Sequence, residues 1–255
     1  MSDKENPENK QDTKSTRRDF IKSSSLTVGG LVVGGAVGGL LGRTSTDPDE
    51  KTETKQTPAA NPNEALMFFY PDEYQTTMAA AERIFPEDDL GPGARGLNVA
   101  IYIDHQLASQ WGVNAKDYRM GPWYNPEPTQ GGQVRLLRKD LFRLGIKQLD
   151  NYSKKKFDNT FVDLESDQQV EVLVAFENGE ANALSGVPSS EFFKLLRTLT
   201  LEGVYADPMY GGNNEMEGWA MRKYPGTRMN YVKEVESKEF IKLEPKSLHS
   251  HMKHS

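Results

Sequence analysis

The sequence predicts a mostly all-α protein: a compact multi-helix domain with long ordered loops, preceded by a disordered leader and a linker. Three observations carry this. Apolar residues recur at three- and four-residue spacing over helix-length stretches, as in Tyr74, Met78, Ala81 and Phe85. Strict two-residue alternation, the mark of a half-buried strand, is scarce. The periodic stretches are separated by punctuation such as Asp88-Asp89-Leu90-Gly91-Pro92-Gly93, where proline and glycine stop regular structure.

Composition bounds the function. The 255 residues suffice for a leader, a linker and one domain. The net charge of −6 argues against a nucleic-acid partner. With no cysteine in the chain, disulfides, thiolate-held iron–sulfur clusters, covalent c-type haem and a cysteine nucleophile are excluded. No glycine-rich dinucleotide fingerprint, phosphate-binding loop, zinc-protease or serine-hydrolase motif is present.

Residues 1–15 are polar and charged, with no apolar period, and are expected to be disordered. Thr16-Arg17-Arg18-Asp19-Phe20-Ile21-Lys22 then reads as a twin-arginine export motif, with Arg17 and Arg18 as the signal. The apolar stretch Leu26–Gly42 that follows carries seven glycines, which is short and weakly hydrophobic for a membrane span. Two outcomes stay open: cleavage of the leader, or its retention as an anchor. The expected organisation is a leader over 1–43, a linker over 44–65, a helical domain over 66–232 and a charged tail over 233–255.

Pro71-Asp72-Glu73 opens the first helix, since proline suits the first turn and acids suit the positive end of the helix dipole; Pro86 ends it. The second helix is expected over Leu97–Trp111, with Ala100, Ile103, Leu107 and Trp111 as its apolar stripe. Asp104 falls inside that stripe. A buried carboxylate needs a partner, either backbone N–H groups of a neighbouring loop or an arginine such as Arg119, Arg197 or Arg222. His105 lies on the flank. Adjacent helical residues diverge, so Asp104 and His105 make a poor catalytic pair. Asp117–Tyr124 is a loop dense in aromatic residues, of the types that anchor protein interfaces. A third helix is expected over Val134–Phe157 with Leu137, Leu141, Leu144 and Gln148 on one face and Lys154-Lys155-Lys156 near its end. Asp163–Asp167 opens a fourth, with Ser166 as its cap, and Pro188 opens a fifth carrying Phe192, Leu195, Leu196, Leu199, Gly203 and Ala206. Gly203 marks a close approach by another backbone. Three of the last seven residues are histidines, but a disordered tail offers no supporting shell for a metal, so no metal site is expected.

The most informative stretch is Thr200–Gly226, TLEGVYADPMYGGNNEMEGWAMRKYPG. A helix ends at Asp207-Pro208; two glycines and an asparagine follow, residues that enter backbone regions closed to others. Asn214 and Glu217 then have capping-box spacing, and Pro225-Gly226 closes the next helix. The pattern TLEG, DP-x-YGGN, GW and PG resembles the C-terminal signature of the gluconate 2-dehydrogenase subunit 3 family, with supporting similarity from about Tyr70 onward through Ile84-Phe85-Pro86, Tyr102–Leu107 and Tyr118–Pro122. The family comprises small subunits of membrane-associated, flavin-dependent sugar and sugar-acid dehydrogenases. The resemblance therefore implies a non-catalytic accessory chain with no cofactor of its own. It implies FAD in a large GMC-type partner subunit, a cytochrome c subunit as a further candidate partner, and association with the membrane. Export by the twin-arginine translocase would place the chain on the extracytoplasmic face of the cell membrane or in the periplasm.

On this reading the partner-binding residues are Tyr118 and Trp123 in one loop and Tyr210, Gly211, Gly212, Asn213 and Trp219 in the other. A competing reading is a stand-alone exported enzyme or ligand-binding domain in which Asp104, His105, Glu202 and Asp207 line a pocket.

Overall fold

The computed structural model describes residues 65–124, 127, 134–239 and 241–252, so the twin-arginine motif, the apolar stretch and nearly all of the linker lie outside the described residues. The described chain is helical. Its β-type pairings are isolated bridges, Gly226 with Lys246 among them.

Helix α1 spans Pro71–Ile84 and begins where Pro71 sets the backbone and Glu73 turns back to accept the Tyr70 amide at 3.0 Å. Helix α2 is shorter than its periodicity predicts, Val99–Ala108. Asn98 before it is left-handed (φ 56°), and Ser109 after it ends the helix by donating to the Gln106 carbonyl (2.7 Å) while accepting from the Trp111 amide (3.1 Å). Serine competes with the helix for its own backbone groups here. Helix α3 is Arg138–Phe157. Its expected first turn is absent because Leu137 is extended and the Arg138 amide is taken at 2.9 Å by the side chain of Asn114, from a distant loop.

The buried face of α3 also differs from the expected one. Leu141, Phe142, Gly145, Ile146 and Leu149 point inward, while Leu144 and Gln148 lie half-buried at the margin. The reason is the partner: the ring of Phe192 occupies the space at Gly145 that a side chain would fill, with a Cβ there falling 2.0 Å from the ring. Helix α4, Ser166–Glu177, is capped differently as well. Gln168 accepts the Glu165 amide at 3.1 Å, and the Ser166 hydroxyl instead receives Arg83 from α1 at 2.6 Å. Helix α5, Ser189–Tyr205, is the centre of the domain and packs against α1, α2, α3 and α4.

The core runs as a chain of rings, Phe69 to Phe142 to Phe192 to Phe176, at centroid separations of 5.7, 5.3 and 5.9 Å. The edge-to-face geometry of the last two pairs adds about 0.5–1.5 kcal/mol each beyond area burial. Beyond α5 come two 3-10 turns, Pro208–Tyr210 and Asn214–Met216, then α6 (Glu217–Met221) and two further single turns, α7 (Val232–Val235) and α8 (His249–Met252). Residues 241–252 return to the stretch after α5. Within the charged tail, residues from Glu244 to His251 hydrogen-bond to Asp207 and to the Pro225–Arg228 stretch.

Candidate functional site

Asp104 is fully buried in α2 and takes backbone N–H groups, the first of the two expected alternatives. Its Oδ1 accepts the amides of Phe68 (3.0 Å) and Phe69 (2.7 Å), and its Oδ2 accepts that of Met67 (2.6 Å). None of Arg119, Arg197 and Arg222 contributes. The carboxylate thus binds the extended segment before α1 and brings Phe69 into the aromatic core. His105 points to the flank, with Nε2 3.1 Å from the Ala65 carbonyl.

The stretch after α5 packs on this same helix. Asp207 starts the first 3-10 turn by accepting the Met209 amide at 3.1 Å. Gly211 follows at φ +98°, and a Cβ there would sit 2.9 Å from Ile101 and 3.1 Å from the His105 ring. Gly212 meets α5 itself, since a Cβ on it would be 2.3 Å from the Gly203 carbonyl oxygen. That is the close backbone approach expected at Gly203.

Asn213, not Asn214, then locks the turn. Its side chain donates to the Ala206 carbonyl and accepts the Gly218 amide, both at 2.8 Å, and it is fully buried at φ +47°. Trp219 donates its indole N–H to the Tyr205 carbonyl at 2.8 Å and is 4 % exposed. Glu202 lies on the outer side of α5 and accepts the Tyr102 hydroxyl at 3.3 Å. Burial, with the neighbouring Glu202 charge added to it, holds the Tyr102 hydroxyl well above the usual tyrosine range, so it acts as a neutral donor.

The aromatic loop stands apart. Tyr118 is 88 % exposed, Met120, Trp123 and Tyr124 are exposed too, and Arg119 stacks on Trp123 at 5.3 Å. Behind the loop lies a cavity of about 510 Å³ bounded by Trp111, Arg138, Leu141, Glu191, Lys194 and Leu195, among others. Arg138 stacks on Trp111 at 4.4 Å and pairs with Asp117 at 2.9 Å.

The chain's relationship to known proteins follows the helical domain. The model of gluconate 2-dehydrogenase subunit 3 matches residues 71–226, more than half of the chain. The chain belongs to the gluconate 2-dehydrogenase subunit 3 family. No curated protein and no solved structure matches it. The matched span runs from the first residue of α1 to the glycine that closes the family signature.

Within this family member the residues marked out by sequence divide by exposure. Tyr118, Trp123 and Tyr210 reach solvent, whereas Gly212, Asn213 and Trp219 are buried in contacts of the chain with itself, and Gly211 is half-buried. Gly212, Asn213 and Trp219 therefore shape the turn, and the exposed rings are what a partner can touch. Asp104 and Asp207 are buried on separate elements, and neither of two cavities, of about 510 and 660 Å³, is lined by Asp104, His105, Glu202 or Asp207.

Among the described residues no group of three His, Asp or Glu side chains is placed to hold a metal, and no helix is long and apolar enough to cross a membrane. Of the C-terminal histidines, His254 lies outside the described residues. Sequence reasoning did not find the Asn114–Asp117–Arg138 cluster or the Glu73–Arg143 pair (2.8 Å); both join residues far apart in the chain, and no local spacing announces them.

Proposed function

We propose that this subunit 3 protein is a non-catalytic accessory chain of an exported, FAD-dependent sugar or sugar-acid dehydrogenase. In this reading it assists folding, export and assembly of a large GMC-type flavoprotein subunit, which carries the FAD and the substrate specificity. The observation that carries this reading is the match to a dehydrogenase subunit over residues 71–226, from α1 to the glycine after α6. The geometry supports it. Two of the three carboxylates that sequence singles out for chemistry are engaged by the chain's own backbone, with three amides on Asp104 and those of Met209 and Leu248 on Asp207, while Glu202 accepts the Tyr102 hydroxyl. Such groups hold structure rather than exchange protons with a substrate. The two loops marked out by sequence offer exposed side chains for an external contact: Tyr118, Met120, Trp123 and Tyr124 in one and Tyr210 in the other. Tyrosine and tryptophan at such positions dominate the energy of protein interfaces.

The twin-arginine motif at Arg17-Arg18 would supply the export signal for the pair, because that route carries folded cargo that has already loaded its cofactor. Function would then lie at the extracytoplasmic face of the cell membrane or in the periplasm, where a cytochrome c subunit would complete the electron path.

Affinity purification of C-terminally tagged protein from its native host in mild detergent tests the reading. Co-purification of a large subunit with flavin absorbance supports it. A colourless, lone protein refutes it and returns attention to the stand-alone ligand-binding alternative.

A further inference from the structure

We propose that the Pro225–Thr227 edge and the Asp207 carboxylate form a docking groove for a peptide, and that residues 241–252 of this chain, non-helical up to Ser247 and ending in the turn α8, occupy it as a tethered ligand. Asp207, Pro225 and Gly226 of the groove lie within the family-matched span, and its occupant lies wholly beyond that span.

The contacts are made mostly to the occupant's backbone. Lys246 pairs in parallel with Gly226: its amide donates to the Pro225 carbonyl (3.3 Å), and its carbonyl accepts the Thr227 amide (2.8 Å). Two residues on, the Leu248 amide donates to Asp207 Oδ2 at 2.7 Å. Upstream, Arg228 donates to the Glu244 carbonyl at 2.8 Å. His251 adds a side-chain contact, placing Nε2 3.0 Å from the Thr227 carbonyl. Recognition by main-chain pairing along an exposed edge is the physics of strand addition, which reads an extended conformation more than a sequence.

The groove is also shaped for a backbone. At Gly226, φ is +73°, and a Cβ would lie 2.3 Å from the Lys246 carbonyl oxygen, 2.6 Å from its amide nitrogen and 2.9 Å from the Trp219 ring. A glycine at this point leaves the passage the peptide runs through. The occupant does not merge with the core. Ile241 and Met252 are exposed, and a cavity of about 660 Å³ separates Ala220, Lys223, Tyr224 and Pro225 from Ile241–Pro245. Its side chains are at most half-buried, Leu243 and Leu248 among them, and its backbone carries most of the hydrogen bonds that hold it. A short tether gives such a ligand an effective concentration on the order of millimolar, so a free peptide at micromolar concentration cannot displace it.

The full chain tests this with Leu248→Pro, which removes the amide that Asp207 accepts and touches nothing in the helical core. Two readouts apply: hydrogen exchange at the Thr227 and Lys246 amides, and anisotropy of a fluorescein-labelled peptide of residues 241–252. The expected result is at least tenfold faster exchange of both amides in L248P. The labelled peptide should then bind L248P at least tenfold tighter than it binds the unaltered chain, and should restore protection at Thr227. A peptide carrying the same proline should not. The proposal is overturned if L248P leaves both amides as protected as before, or if it releases them and the peptide fails to restore Thr227.

Discussion

Gly212 is pressed against the carbonyl of Gly203, so closely that a methyl on Gly212 would lie 2.3 Å from that oxygen. Both glycines therefore belong to one contact, in which the turn after α5 folds back onto the helix it has just left. Gly212→Ala is expected to destabilise the protein by about 3 kcal/mol, near the upper end for overpacking, because the obstruction is backbone and not a flexible side chain. Urea unfolding followed by circular dichroism measures it. A loss under 1 kcal/mol would mean that the turn can move aside.

Asp104 ties three consecutive amides to α2. Asp104→Ala strands those donors in or beside the core and is expected to cost about 3 kcal/mol or more. Asp104→Asn keeps one acceptor oxygen and should cost less. Hydrogen exchange at Met67, Phe68 and Phe69 should rise at least tenfold in the alanine variant, locating the damage in the segment before α1.

Asn213 and Tyr118 provide the contrast between shaping a loop and offering a contact. Asn213→Ala removes one buried and one partly buried hydrogen bond and should cost about 2 kcal/mol of stability. Tyr118→Ala, at an 88 % exposed residue, should leave stability within about 0.5 kcal/mol. On the proposed function, Tyr118→Ala combined with Trp123→Ala should lower recovery of the dehydrogenase in the affinity purification by about tenfold or more, as expected for interface anchors. Unchanged recovery would move the interface elsewhere.

Asp150 supplies a pH dependence. Burial raises its carboxyl above the ordinary value of 3.8, against the opposing effect of the Phe161 amide it accepts. A raised folded-state value means that the native state binds the proton more tightly than the unfolded chain. The resulting stabilisation is complete below 3.8 and is lost as pH rises through the folded value. Asp150→Asn, which is neutral throughout and keeps the acceptor for Phe161, should match the unaltered protein near pH 3 and exceed it in melting temperature at neutral pH. Thermal melts across that range decide the matter; equal pH profiles would show that the carboxylate is solvated.

Local chemistry made much of this legible. Pro71 with Glu73 announces α1, Pro188 announces α5, and the placing of Asp104 within an apolar stripe shows that it must be buried with a partner. Capping departs from the local pattern where a distant group takes over. Ser166 looks like a cap but binds Arg83, and Asn114 closes the start of α3 from 24 residues away. The buried face of α3 departs from the spacing of its leucines because Phe192 enters at Gly145, and that spacing carries no record of what lies opposite.

The sequence alone determined the helical class, the family signature and the positions where the backbone must turn, because propensity, periodicity and the steric rules of proline and glycine act over a few residues. Only the tertiary structure decided which side chains face inward at the signature, that Asp104 is satisfied by backbone and not by arginine, and that the last described residues return to Asp207. Those outcomes depend on pairs far apart in the chain, such as Gly211 with Ile101 and Leu248 with Asp207, whose meeting no local rule of propensity or periodicity records.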